Sequence, residues 1–135
     1  MTAARRIALA ALLVRDYDEA IAWYRDKLGF HLIEDTPLGP AKRWVVMSPQ
    51  KAAGASLLLA KATGPKQEAA IGRQSGGRVF LFLHTDDFDR DYHRMRAQGV
   101  MFREAPRKEP YGTVTVFADL CGNLWDLLEP VQKPV

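Results

Sequence analysis

The sequence has one cysteine, no long apolar run and no cluster of basic residues, and each lack excludes a class of protein. The single Cys121 rules out an internal disulfide framework and fits a reducing compartment, so we expect a cytoplasmic location. No apolar segment reaches the length of a membrane-spanning helix, so no membrane partner is expected. The net charge is +3, but lysine and arginine are scattered without interleaved aromatics, and no nucleic-acid partner is expected.

The composition that remains is that of an ordinary soluble protein. Hydrophobic residues make up 47% and charged residues 26% of the chain. A length of 135 residues suits one domain with its own core, so residues 1–135 are interpreted as a single domain.

One pattern occurs twice along the chain. Each copy begins with an apolar strand, followed by an aspartate that can cap a helix, Asp16 in the first copy and Asp87 in the second. Each helix ends at a glycine followed by an apolar residue, and three more strand candidates come after it. We predict two βαβββ modules, at about residues 5–62 and 78–130. The connector at 63–77 is predicted to hold one short helical turn around residues 68–71, and residues 106–110 are predicted to form a loop.

The closing hairpin contains an unexpected carboxylate. Strand-type residues flank a turn with Asp119, Gly122 and Asn123, where glycine and asparagine accept positive φ at low cost. Because side chains alternate on a strand, Asp126 lies on the face opposite Trp125. A carboxylate in that position lies either at a solvated edge or inside a cavity.

Two segments carry a family resemblance. The first is Val-Arg-Asp-Tyr-Asp-Glu-Ala-Ile-Ala-Trp-Tyr at 14–24 with Leu-Gly-Phe at 28–30, and the second is Asp-Leu-Cys-Gly-Asn-Leu-Trp-Asp-Leu at 119–127. Together they resemble the vicinal oxygen chelate superfamily, which includes glyoxalase I, bleomycin-resistance proteins and extradiol dioxygenases. The resemblance implies an α+β fold in which two tandem βαβββ modules form a curved, mixed or antiparallel sheet around a cleft. It also implies a homodimer.

The resemblance also implies four metal-ligand positions in the cleft. They fall here on Leu9, Leu58, Phe80 and Asp126. Leucine and phenylalanine have no donor atom, and one carboxylate does not make a metal site. We therefore expect no metal and no other cofactor.

The favoured function is the binding of a small, partly aromatic or apolar molecule in the cleft without a metal. The alternatives are a metal-dependent lyase or isomerase of the glyoxalase type, or an extradiol dioxygenase. A third is an enzyme without metal, in which His84 and Asp126 transfer protons. A small-molecule ligand is thus the expected partner, besides a second copy of the chain.

Nine residues are the candidates for ligand binding: Leu9, Trp44, Leu58, Phe80, Phe82, His84, Arg107, Tyr111 and Asp126. An apolar lining with a few polar groups is typical of small-molecule pockets, and tryptophan stacks on planar ligands. Each of these residues also has an interpretation that involves no ligand. The apolar residues can simply fill the cleft, and Trp44 can belong to the core or to a dimer interface. His84 can be solvated at a strand end, and Arg107 with Tyr111 can form a surface loop.

Overall fold

The computed structural model describes residues 4–51 and 54–132. The chain divides into two compact units, residues 1–71 and 72–135, and each unit holds one sheet. The structure is a mixed α+β fold, as the resemblance implies, and its described residues form three helices. Within the described residues, no helix is both long and apolar enough to cross a membrane.

The first unit is built in the predicted order of strand, helix and three strands, followed by a second helix. Its elements are β1 (Leu9–Val14), α1 (Tyr17–Leu28), β2 (His31–Pro37), β3 (Arg43–Ser48), β4 (Ser56–Lys61) and α2 (Gly64–Ala70). The strand order in the sheet is β1-β4-β3-β2, with β1 parallel to β4 and the other pairs antiparallel.

Helix α1 begins and ends where the sequence predicts. The side chain of Asp16 accepts a hydrogen bond from the backbone N–H of Glu19 at 2.8 Å, which satisfies one free donor of the first turn. Gly29 ends the helix with a φ of 73°, a conformation that costs glycine little. The helix packs on the sheet through its buried side chains Tyr17, Ala20, Ile21 and Tyr24.

The prediction for the connector was wrong in its extent. We predicted one helical turn around residues 68–71, but α2 occupies Gly64–Ala70. Pro65 stands at the start of this helix, where its missing N–H costs nothing. The side chain of Gln67 turns back and accepts hydrogen bonds from the backbone and the hydroxyl of Thr63. With these local bonds, the helix starts four residues earlier than predicted.

The second unit repeats the same plan with one additional strand. Its elements are β5 (Val79–His84), α3 (Phe88–Ala97), β6 (Met101–Phe102), β7 (Arg107–Glu109), β8 (Gly112–Ala118) and β9 (Leu124–Pro130). The strand order is β5-β9-β8-β6, with β5 parallel to β9, and β7 pairs with β8. Asp87 caps α3 by accepting a hydrogen bond from the backbone N–H of Arg90.

Strand β7 corrects the prediction that residues 106–110 form a loop. Pro106 and Pro110 enclose only three residues, which is too short for a recognisable alternating pattern. These three residues nevertheless pair with β8 in the antiparallel register Arg107 to Val114. Strand β6 before it is short, since only Met101 and Phe102 pair with β8 there.

A chain of aromatic contacts joins α3 to the second sheet. Ring centroids lie 5.5 Å apart for Phe88 and Tyr92, 4.7 Å for Tyr92 and Phe102, and 6.0 Å for Phe102 and Phe117. Phe117 stacks on Trp125 at 5.8 Å. Such pairs stabilise beyond their buried area, and they fix which face of β8 and β9 is covered by α3.

The turn between β8 and β9 is held by a buried carboxylate. Oδ1 of Asp119 accepts the backbone N–H groups of Cys121 and Asn123, each at 2.9 Å. Gly122 has a φ of 92°, as predicted. Asn123 does not have positive φ. Its side chain instead donates to Oδ2 of Asp119 at 3.0 Å, so its contribution to the turn is a hydrogen bond.

Candidate functional site

One face of the first sheet carries three of the predicted ligand-binding residues. Ala11 pairs with Leu58, and Leu58 pairs with Val46 on the other side. Because side chains alternate along a strand, Leu9 and Trp44 share this face. We call this surface, which consists of Leu9, Ala11, Leu13, Trp44, Val46 and Leu58, the first open face. Among the alternate positions of the same strands, Leu12, Val45, Met47 and Leu59 are fully or almost fully buried.

A cavity of the first unit has a volume of about 610 Å³ and lies against one end of this face. Leu9 and Trp44 contribute to its wall, so two of the predicted residues lie at a real cavity. Polar groups accompany them, among them Glu34, Ser48 and Ser56. A lining that combines apolar, polar and charged side chains suits a small organic ligand with both an aromatic part and polar groups.

A second cavity of about 470 Å³ lies where β3 begins and β4 ends, and residues of both faces of the sheet line it. Leu58 and Trp44 line it, together with side chains from the ends of β3 and β4 and from the start of α1. Leu9 thus lies at one cavity, Leu58 at the other and Trp44 at both.

Arg43 fixes the start of β3, and with it the position of Trp44. Its guanidinium donates to Asp35 at 2.6 and 3.0 Å and to Asp18 at 3.0 Å. It also lies 5.1 Å from the ring centre of Tyr17, whose hydroxyl accepts the backbone N–H of Arg43. These bonds connect β3 to β2 and α1, so the backbone beside Trp44 is held on two sides.

The remaining six predicted residues belong to the second unit. Phe82 pairs with Asp126 and His84 with Leu128, so these side chains share one face of the second sheet. Phe80 falls at a shift in the register between β5 and β9. Phe82 is 60% exposed although it is a large aromatic residue, whereas Asp126 is only 7% exposed.

Asp126 is a buried carboxylate with an unused oxygen. Its Oδ1 atom is buried and, within the described residues, has no hydrogen-bond partner. Burial raises the pKa of Asp126 above its ordinary value, because a charged carboxylate loses its hydration there. The positive charge of Arg107 opposes this shift of the pKa, and the negative charge of Glu104 adds to it.

Arg107 is already engaged by neighbouring side chains. Its guanidinium donates to Glu104 at 2.6 Å, to Glu109 at 2.8 Å and to the hydroxyl of Tyr111 at 3.3 Å. Two carboxylates therefore balance its charge, which weakens the case for it as an anion-binding residue. Tyr111 itself lies in the turn before β8 and is 49% exposed.

His84 lies near Asp126 on the same face, but two residues further along the strand. Diagonal neighbours of this kind are typically about 7 Å apart, which is beyond direct hydrogen bonding. His84 is exposed, and no hydrogen bond between it and Asp126 is found among the described side chains. The proton-transfer pair therefore remains a prediction.

The residues at the four implied metal positions do not fit a metal ion. The register supports their equivalence, because Leu58 lies opposite Ala11 in the first sheet and Asp126 opposite Phe82 in the second. Three of the four side chains lack a donor atom. In residues 4–51 and 54–132, no group of three or more histidine, cysteine, aspartate or glutamate side chains is arranged to hold a metal.

Comparison with known proteins identifies the family. The model of the Glyoxalase/Bleomycin resistance protein/Dioxygenase superfamily matches residues 6–127. The chain belongs to this superfamily. The match spans both βαβββ units, so the internal repeat is the repeat of the superfamily's fold.

Relatives within the superfamily are similar over nearly the whole chain. An uncharacterized protein of Shewanella frigidimarina (strain NCIMB 400) is 60% identical over 124 residues, which cover 91% of this chain and 92% of that protein. The crystal structure of UcmS2 is 31% identical with a TM-score of 0.79, covering 94% of this chain and 99% of that one. The structure of TnmS3, an antibiotic binding protein from Streptomyces sp. CB03234, is 31% identical with a TM-score of 0.77. It covers 97% of this chain and 100% of that chain.

Several residues at the cavities were not among the nine predicted. Ser56 lies on the same face of β4 as Leu58, which the family resemblance implied, so strand alternation from Leu58 points to it. Lys42 and Lys61 lie at strand ends beside the second cavity, where no periodic pattern points to them.

Proposed function

We propose that this protein binds a small, partly aromatic molecule on its first open face, without a metal ion. The observation that carries the proposal is the cavity of about 610 Å³ against Leu9 and Trp44. Its volume is within the range of ligand pockets, and the indole ring offers a stacking surface. Glu34, Ser48 and Ser56 supply hydrogen-bonding groups at its margin.

The class of ligand is supported by a similar protein. TnmS3 is an antibiotic binding protein, and this chain is similar to it along almost its full length. We infer a comparable role here, in which the protein sequesters or carries a small organic compound. Under this proposal the protein is a cytoplasmic homodimer.

A ligand screen by thermal unfolding tests the proposal. Planar aromatic compounds are added to the full-length protein with and without Zn²⁺, Ni²⁺, Mn²⁺ or Fe²⁺. A ligand at about 100 times its Kd stabilises the native state by about 2.7 kcal/mol, and the gain should not depend on metal. Stabilisation that requires a metal ion would contradict the proposal and favour a lyase, isomerase or dioxygenase.

Substitution of Trp44 locates the site. In Trp44→Ala the stabilisation by the ligand should disappear, because the stacking surface is lost. The matched control is Trp23→Ala, since Trp23 belongs to α1 and contacts Tyr24 without lining either cavity. Loss of ligand binding in the control but not in Trp44→Ala would place the site elsewhere.

A second candidate function is an acid–base enzyme without metal. The raised pKa of the buried Asp126 favours it, because a strongly perturbed carboxyl group often marks a reactive site. If this candidate holds, a compound found in the screen should be converted to product by the wild type and not by Asp126→Asn. Bound compound that is recovered unchanged would exclude it for that ligand.

A further inference from the structure

We propose that the ligand is elongated and carries an anionic group, which the second cavity of the first unit receives beside Lys42 and Lys61. This inference rests on the proposed function and names the chemistry of its ligand. Its basis is the arrangement of the two cavities around one side chain.

Trp44 is the residue common to the linings of both cavities. Along β3, the cavity of about 610 Å³ is lined by Trp44, Val46 and Ser48, and the cavity of about 470 Å³ by residues 41–44, so the two cavities are neighbours at Trp44. A ligand that uses both spaces must be longer than a single ring system.

The two cavities differ in charge. The first is lined by charges of both signs, among them Arg6, Glu34 and Lys51. The described lining of the second contains Lys42, Arg43 and Lys61 and no carboxylate. An anionic group is therefore favoured at the second cavity and not at the first.

Lys42 and Lys61 are the cations at the second cavity that a ligand can use. Arg43 is already bonded to Asp18 and Asp35. In the described part of the chain, no ion pair involves either lysine. A lysine ammonium is a compact charge with three rotatable donors, which suits a carboxylate, a sulfonate or a phosphate.

Two fluorescent probes with matched rings test this assignment. Anilinonaphthalene sulfonate carries the anionic group, whereas phenylnaphthylamine has the same rings without it. Titration of the full-length protein should show tighter binding of the sulfonate. In the double variant Lys42→Gln/Lys61→Gln, affinity for the sulfonate should fall about three- to tenfold, as expected for two exposed ion pairs. Affinity for the neutral probe should not change.

A charge-matched control separates a local from a general electrostatic effect. Lys66→Gln/Arg103→Gln removes the same net charge at exposed positions outside both cavities, and it should leave both affinities unchanged. Equal loss of sulfonate binding in both double variants would overturn the inference. An unchanged affinity in Lys42→Gln/Lys61→Gln would overturn it as well.

Substitution of Trp44 distinguishes this inference from the proposed function. In one outcome, Trp44→Ala lowers the affinity for both probes while Lys42→Gln/Lys61→Gln changes neither affinity. That result would support the proposed aromatic site and contradict the proposed anionic site. If neither probe binds the wild type, or Trp44→Ala has no effect on either, both proposals fail for planar aromatic ligands.

Discussion

At the scale of single residues, Asp126 is unusual in both sequence and structure, because it places a carboxylate among the buried apolar residues of β9. The alternation of β9 predicts a carboxylate away from the face that Trp125 occupies, and the structure buries it there with a free Oδ1. What the sequence alone left open was whether it was solvated. That depends on neighbours from other segments, Arg107 in β7 and Glu104 between β6 and β7, whose proximity follows only from the folded structure.

We predict that Asp126→Asn stabilises the protein at neutral pH. The pKa of Asp126 is higher in the folded than in the unfolded state, so the folded state binds its proton more tightly. Its favourable contribution is complete below the unfolded pKa near about 4 and is lost as the pH rises through the folded pKa. The neutral asparagine avoids the cost of a buried charge, which amounts to about 1–3 kcal/mol.

Urea unfolding between acid and neutral pH measures this effect. The increase in the free energy of unfolding caused by Asp126→Asn should be largest near neutral pH and should vanish as the pH approaches about 4. The exposed Asp89→Asn serves as a control, since its charge lies in the first turn of α3 and not in a buried position. An advantage that does not depend on pH would show that burial of the charge is not its cause.

At the scale of elements, the helix boundaries could be predicted and the short elements could not. Asp16, Asp87 and Gly29 each act through bonds or dihedral angles within a few residues of themselves, so the sequence contains the whole cause. Strand β7 exists only because β8 offers it a partner across the turn at Tyr111. No local pattern in three residues can report a partner of that kind.

We predict that Gly112→Ala destabilises the second unit more than Gly39→Ala destabilises the first. The two glycines have nearly the same positive φ, 153° for Gly112 and 157° for Gly39. Such angles are strained for any other residue, by about 1–3 kcal/mol in both variants. A Cβ on Gly112 would also overlap the backbone carbonyl of Glu129, whereas a Cβ on Gly39 meets open space.

The difference between the two variants isolates the steric overlap. A backbone carbonyl that pairs two strands cannot shift without a cost in free energy. Gly112→Ala should therefore lower the free energy of unfolding by about 1–3 kcal/mol more than Gly39→Ala does. Chemical denaturation of both variants gives this difference directly. Equal losses would mean that the ladder between β8 and β9 adjusts to the added methyl group.

At the scale of the whole molecule, the internal repeat was the most informative feature of the sequence. The similar segments around Asp16 and Asp87 predicted two equivalent modules, each with its own sheet. The pairings of Ala11 with Leu58 and of Phe82 with Asp126 occupy equivalent positions in the two sheets, which confirms the repeat. The cavities were less predictable. Their walls combine strand ends and loops, such as Lys42 and Ser56, whose proximity depends on how the strands are staggered.

The assembly of the chain remains a prediction, and strand β2 suggests where two copies meet. This strand ends the first sheet, and all seven of its residues are exposed. Leu32 and Ile33 leave 44% and 45% of their surface accessible. A long edge strand with exposed apolar residues tends to pair with another chain.

We therefore predict a homodimer that contacts its second copy through β2. Sedimentation at micromolar concentration should give a species of twice the 15.1 kDa chain mass. Leu32→Glu should shift it to the monomer, because a charge would then be buried at the contact. Met101→Glu is the control, since Met101 is 70% exposed on the two-residue strand β6 and should leave the dimer intact. A wild type that sediments only at 15.1 kDa would exclude the dimer, and dissociation by Met101→Glu alone would move the contact to the second sheet.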